Sequence, residues 1–292
     1  MNANVLVQGL TAGSIYTLVA VGFNVLYRPT NVFNFAHGQT IMYGAMVGAV
    51  AVGAWTLPWP LAVLVAVAAT SAIGYLVERL AVRPVLRRHG GSETWIITTL
   101  AVTLVLTDIA GKIWDDTPRG VPAPPGLSTE KWTVGGLSFS SYDIALVAGT
   151  VVLVLVIERL YRTRTGRAVL AVAEDRDAAR LRGIEPDRLS ARSFIIGGAL
   201  AGLTGILAAP ILYASLALGP LLLIKGFAAA TLGGVGNNRG ALVAGLTVGV
   251  VEAVGADLLS PGFQPAIVFV VMLAVLMVRP QGLTGRVGAR TV

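Results

Sequence analysis

The chain has 292 residues, of which 55% are hydrophobic and only 13% charged, where an average soluble domain is about 25% charged. That shortfall excludes water as the main solvent and points to a polytopic membrane protein. The absence of cysteine excludes disulfides, thiolate catalysis and Cys-ligated metals, and the +7 formal charge is no nucleic-acid footprint, because its arginines gather at the ends of apolar runs.

A membrane span needs about 20 mostly apolar residues, and reading for such runs gives nine candidates. Met1-Asn2-Ala3-Asn4 carries no basic n-region, so the first run, 5–27, reads as a retained span and not a cleaved signal. It ends at Arg28-Pro29. The second, 35–54, ends at the WTLPWP turn, and the third, 59–80, is followed by Arg83, Arg87, Arg88 and His89. The fourth is 93–112. A polar excursion over 113–141, near charge balance, separates it from the fifth at 142–160. After a charged segment come the sixth at 193–217, carrying Pro210, the short seventh at 221–235, the eighth at 240–258 and the ninth at 264–278, which ends at Arg279-Pro280 and a basic tail with Arg286 and Arg290. The expected fold is therefore all-α, with eight or nine transmembrane helices in a single membrane domain over 1–292.

Arginine placement sets the orientation. The segments 28–34, 81–92 and 161–192 and the tail are expected in the cytoplasm, and 113–141 outside. This puts the N-terminus out and the C-terminus in if nine runs cross. The seventh run is too short for a hydrocarbon core of about 30 Å and reads as a half-helix or re-entrant segment; without it the count is eight and one terminus changes side. Glycine supports close helix packing: there are 35, several at four-residue spacing (Gly9/Gly13, Gly44/Gly48, Gly198/Gly202, Gly245/Gly249), which puts two on one helix face. Such faces serve sliding helices or static packing.

The segment 159–192 is the one extended charged stretch, with Arg159, Arg162, Arg164, Arg167, Arg176, Arg180, Arg182, Arg188 and Arg192. Inside it Asp175 can cap a helix, with Asp177 in its first turn. Arg180 and Arg182 suit its C-terminal end, Gly183 is the expected left-handed terminator and Pro186 blocks continuation. Two turns do not persist alone in water. The helix needs a surface, supplied either by the rest of an ordinary loop or in part by another protein.

Polar groups inside the runs are few. Asn34 can cap the second helix, leaving His37 and Gln39 near its first turn, where they either line a water-accessible gate or satisfy backbone groups at the interface. Lys225 in the seventh run and Glu252 in the eighth lie at similar depth and can pair; alternatively Lys225 snorkels to the interface and Glu252 faces a wet cavity. Glu78 and Asp108 are expected at the interfaces. The stretch LGGVGNNRG at 232–240 is glycine-rich but lacks the Gly-Lys-Ser/Thr end of a phosphate loop, and fits a tight turn between two helices on the cytoplasmic side. No HExxH, GxSxG or histidine cluster marks an enzyme or a metal site.

GLTAGSIY at 9–16, NFAHG at 34–38, AEDRDAARLRGI at 173–184, LGGVGNNRGALVAG at 232–245 and RPQGL at 279–283 follow one another in an order and spacing that resemble the inner-membrane permease subunit of branched-chain amino acid importers of the ATP-binding-cassette type, the LivH type. The resemblance covers essentially the whole chain. It implies a second, LivM-like permease, two cytoplasmic ATPase subunits that hold ATP and Mg, and an extracytoplasmic solute-binding protein, with no cofactor in this chain. It also implies that Glu174, Asp175, Arg176, Asp177, Arg180, Arg182 and Gly183 form the coupling helix that docks on an ATPase, although the full EAA consensus of other importers is absent. Asn34, His37, Gln39, Lys225 and Glu252 are the expected polar residues of the translocation path. Relatives of this shape are associated with leucine, isoleucine and valine, but also with urea, short amides and small organic acids. An ion-coupled secondary transporter centred on Glu252 is the alternative of a different class.

Overall fold

A computed structural model describes residues 3–87, 94–259, 261–279 and 282. Arg88, His89, Arg286, Arg290 and most of the RPQGL stretch lie outside them. In chain order the elements are α1 (Ala3–Tyr27), α2 (His37–Gly53), α3 (Trp59–Val77), a π-turn (Glu78–Val82) leading into α4 (Arg83–Arg87), α5 (Thr94–Ile113), β1 (Trp132–Val134), β2 (Leu137–Phe139), α6 (Ser141–Tyr161), α7 (Arg164–Glu174), α8 (Arg176–Leu181), α9 (Pro186–Leu212), α10 (Leu218–Gly233), α11 (Asn238–Leu258), a 3-10 turn (Pro261–Phe263) and α12 (Gln264–Val278). Among the described residues, six helical stretches are long and apolar enough to cross a membrane, while α10 and α12 are shorter apolar helices. At 16 residues, α10 is about 24 Å long.

Four departures from the sequence reading have local causes. The third run does not stop at residue 80; helix continues through the π-turn to Leu86, because Arg83 folds back on Glu78. The sixth helix begins at Pro186, seven residues early, because proline suits the first helical turn, where its missing N–H is not needed. The charged segment holds a second helix, α7, whose N-cap Thr163 accepts from the Gly166 amide. The 113–141 excursion contains a hairpin with Trp132 opposite Phe139, turned by Gly135 and Gly136 at φ 61° and 83°, the two positive values a type I′ turn requires.

The chain divides into two compact units. Among the described residues, the first comprises those within 3–24, 130–155 and 224–282. Its seam is between α1 and α11. A Cβ added at Gly9 would meet the Val250 Cα at 2.6 Å, one at Gly13 the Gly245 carbonyl at 2.7 Å, and one at Gly249 the Gly9 carbonyl. The two glycine pairs thus face each other, backbone on backbone, as small-xxx-small packing in lipid requires. At one end of the seam Asn4 Oδ1 accepts from the Ser138 amide at 2.6 Å, and Thr11 donates to Asp143 at 3.0 Å. At the other, Asn24 accepts from the Gly236 amide at 2.8 Å, in the expected turn between α10 and α11, where Gly234 and Gly236 have φ 86° and 82°.

The second unit comprises, among the described residues, 25–87, 94–129 and 156–223. It is built on α9, which packs against both α2 and α3. A Cβ at Gly44 would meet the Gly202 Cα at 2.6 Å, and one at Gly198 would run into the Thr70 carbonyl. Leu26, Val77, Val82 and Phe194 form a buried cluster at one end. By contrast α5 leaves Ile97, Leu104 and Val105 more than half exposed, as befits a surface whose solvent is lipid.

Candidate functional site

Two constellations concentrate the polar chemistry. The first is α8 and its supports, in the second unit. Asp175, in extended backbone, accepts from the Asp177 and Ala178 amides, both at 2.9 Å, which satisfies two of the helix's orphan donors. At the other end the Gly183 amide reaches the Arg180 carbonyl and the Ile184 amide the Ala179 carbonyl, at 2.9 and 3.1 Å, with Gly183 at φ 78°; this pair of bonds is the Schellman closure. Glu174 ends α7, and Arg182 is the exposed C-cap of α8.

The surface that two turns of helix require comes partly from this chain. Ala179 is buried with Val169 and Val172 of α7 and Leu189 of α9. Arg176 donates to Asp187 at 2.6 Å with both side chains about three-quarters buried, and Arg180 lies 3.2 Å from Asp177 and 4.0 Å from Asp187. Asp187, in the first turn of α9, was not singled out from sequence; its signal was an acid in the first turn of a helix beside a basic loop. Leu181 projects from the far side of α8, 91% exposed.

The arginine segments meet around these helices. Arg28 stacks on the Tyr161 ring with 3.9 Å to its centroid, Arg176 reaches the Pro29 carbonyl, and Arg83 the Asp187 carbonyl, each at 3.4 Å. Segments 28–34, 81–87 and 161–192 therefore share one end of this unit.

The second constellation is in the first unit. Lys225 of α10 donates to Glu252 of α11 at 2.6 Å and to the Tyr16 hydroxyl of α1 at 2.9 Å. The lysine and glutamate side chains are 8% and 5% exposed. The predicted pair is thus formed; the snorkelling alternative is not what this conformation adopts, and Tyr16 is a third member that sequence reading missed. A buried ion pair persists only with good geometry and further hydrogen bonds, and Tyr16 supplies one.

The remaining expected path residues belong to the second unit. Asn34, His37 and Gln39 are all buried. Asn34 does not cap α2: the cap position is Ala36, and Asn34 Oδ1 accepts from the Ala36 amide at 3.1 Å in a turn ahead of the helix. Gln39 donates to Thr107 of α5 at 2.8 Å. Glu78 is a correction: it is not interfacial but fully buried, held by both its oxygens to Arg83 at 3.1 and 2.8 Å, a bidentate geometry that makes burial tolerable. Asp108 is exposed and paired with Lys112, as an interfacial residue should be. Among the described residues no group of three His, Asp or Glu side chains can hold a metal.

The sequence of this helical, multi-pass chain has counterparts among known proteins. The profile of the family described as the branched-chain amino acid transport system permease component matches residues 5–278. The chain belongs to that family. The permease is 33% identical to the high-affinity branched-chain amino acid transport system permease protein BraD of Pseudomonas aeruginosa, over 96% of this chain and 95% of BraD. It is 32% identical to LivH of Escherichia coli K12, over 96% and 94% of the two chains. It also matches LivM of Salmonella typhimurium at 31% identity, over 68% of this chain and 50% of LivM. No solved structure matches.

Proposed function

We propose that the permease forms, with a LivM-like partner, the membrane path of an importer for branched-chain amino acids, driven by two ATPase subunits and supplied by an extracytoplasmic binding protein. The names of the full-length relatives support the substrate class. The observation that carries the coupling is α8 itself, capped at both ends, rooted on α9 through Arg176 and Asp187, and presenting a nearly fully exposed Leu181. Outside the lipid, such a leucine is the feature a groove on a soluble subunit recognises.

In this reading the arginine-rich end lies in the cytoplasm. The N-terminus lies outside with the hairpin loop, which the Asn4 to Ser138 bond supports, and the C-terminus is cytoplasmic if nine runs cross. ATP and Mg belong to the ATPases, and this chain breaks no covalent bond. ATP-driven closure of the ATPases draws on α8, and the helices exchange outward-open and inward-open states. Asn34, His37, Gln39, Lys225 and Glu252 are path residues that become accessible only in another state, since all five are buried here. An ion-coupled mechanism finds less support, because Glu252, the carboxylate it would need, already holds a lysine.

The test is uptake of labelled leucine by proteoliposomes holding the assembled importer. Leu181→Ser is expected to leave unfolding unchanged within about 0.5 kcal/mol while weakening ATPase binding about tenfold or more and slowing uptake in step. Uptake that proceeds equally without ATP, or ATPase binding indifferent to the substitution, would refute the reading.

A further inference from the structure

Adjoining the C-terminal closure of α8 is an open pocket of ≈ 350 Å³ between the first turn of α7 and the first turns of α9, lined by Arg164, Thr165, Gly183, Glu185, Arg188 and Arg192 among others. Arg188 is engaged by Glu185 at 2.7 Å. Arg164 and Arg192 make no ion pair among the described residues, so three arginines against one glutamate leave two positive charges in excess. Arg164 and Thr165 stand in the opening turn of α7, the end at which the helix dipole is positive.

The face of α9 that continues past the pocket identifies its occupant. Arg188, Arg192 and Ile195 follow one another at i, i+4 and i+7 on α9 and so lie on one face. All three are exposed, Ile195 being 39% so. Along this stripe the helix passes from two guanidinium groups to a partly exposed apolar side chain within two turns, which is the polarity profile of a lipid molecule read from headgroup to acyl chain. A docking site for a soluble protein would not continue into the apolar length of a spanning helix.

We infer that Arg164, Arg188 and Arg192 bind the phosphate of an anionic phospholipid in the leaflet at the arginine-rich end of the permease. Guanidinium forks match phosphate oxygens in pairs, and basic pockets beside membrane helices are suited to acidic headgroups. The inference rests on the chain's membrane placement and not on the ATPase assignment.

Native mass spectrometry of the full-length chain, released from micelles containing phosphatidylglycerol or phosphatidylcholine, tests it. Phosphatidylglycerol is expected to stay bound where phosphatidylcholine is lost. Arg164→Gln and Arg192→Gln should each weaken retention about fivefold, and the double variant about 25-fold. The corresponding lysine variants keep the charge and should retain most of the binding, which separates loss of the site from loss of folding. Arg162→Gln, an exposed arginine outside the pocket, should change nothing. Equal retention of the two lipids, glutamine variants that bind like the parent, full competition by inorganic phosphate at millimolar concentration, or displacement of the lipid when the ATPases are added would each overturn the inference.

Discussion

Removing either half of the Lys225–Glu252 pair should be far worse than removing both. At the observed 2.6 Å the attraction is about 6 kcal/mol at an effective dielectric of about 20, and the desolvation of two ions, several kcal/mol each, offsets most of it. The pair as a whole therefore contributes little net stability. A single substitution is different, because Glu252→Gln leaves an ammonium, and Lys225→Met a carboxylate, buried without a counter-charge. Each should cost about 3–5 kcal/mol. Lys225→Met combined with Glu252→Gln places two neutral side chains of similar length in the same space, and should cost at least about 2 kcal/mol less than the sum of the singles. Tyr16→Phe, which removes an acceptor from the lysine, should cost about 1.5–3 kcal/mol in the parent and little in the double variant. The measurement is SDS-titrated unfolding of the full chain in mixed micelles, run as a double-mutant cycle. A double variant whose loss equals the sum of the two singles would refute the argument, since additivity means no coupling.

Two other substitutions probe packing and capping. Gly249→Val puts a branched side chain where the Gly9 carbonyl and the Gly13 backbone lie; α1 and α11 must part, with a loss of about 3 kcal/mol or more in the same unfolding assay. At α8, Asp175→Ala removes the acceptor of two amides and Gly183→Ala forces an L side chain to φ 78°. These should cost about 1 and about 1–2 kcal/mol of local stability, read as faster amide exchange confined to α8 and its neighbours, with leucine uptake falling while the spans remain intact.

What was legible in the sequence was whatever the bilayer itself dictates. Apolar length located the spans, and α12 at Gln264–Val278 was read to the residue. The cap chemistry of Asp175 and Gly183 was equally visible, because it needs only neighbours a few residues away. The depth argument brought Lys225 to Glu252, but Tyr16 lies 209 positions from Lys225, and a tyrosine in an apolar run carries no mark of its partner. Glu78 was misplaced for a related reason: its position near a run's end suggested an interface, whereas the π-turn brings Arg83 back onto it and lets the helix continue. Helix α7 was missed because the arginines around it dominated the reading, although Val169 and Val172 already had the spacing of a buried face. Two local signals passed unread, the Gly135-Gly136 pair that turns the hairpin and the Ser140-x-x-Asp143 box, in which Ser140 and Asp143 bond reciprocally at the start of α6.

The anchoring of α8 to Asp187 has a geometric outcome. Asp187 sits at one extremity of a 27-residue helix, a rod about 40 Å long. Where α2 and α3 press on it through Gly44, Gly198 and Gly202 there is no room for give. A rotation of about 10° about that extremity sweeps the opposite tip sideways by about 7 Å, roughly the breadth of a leucine side chain. Leverage of this size needs no refolding of any span.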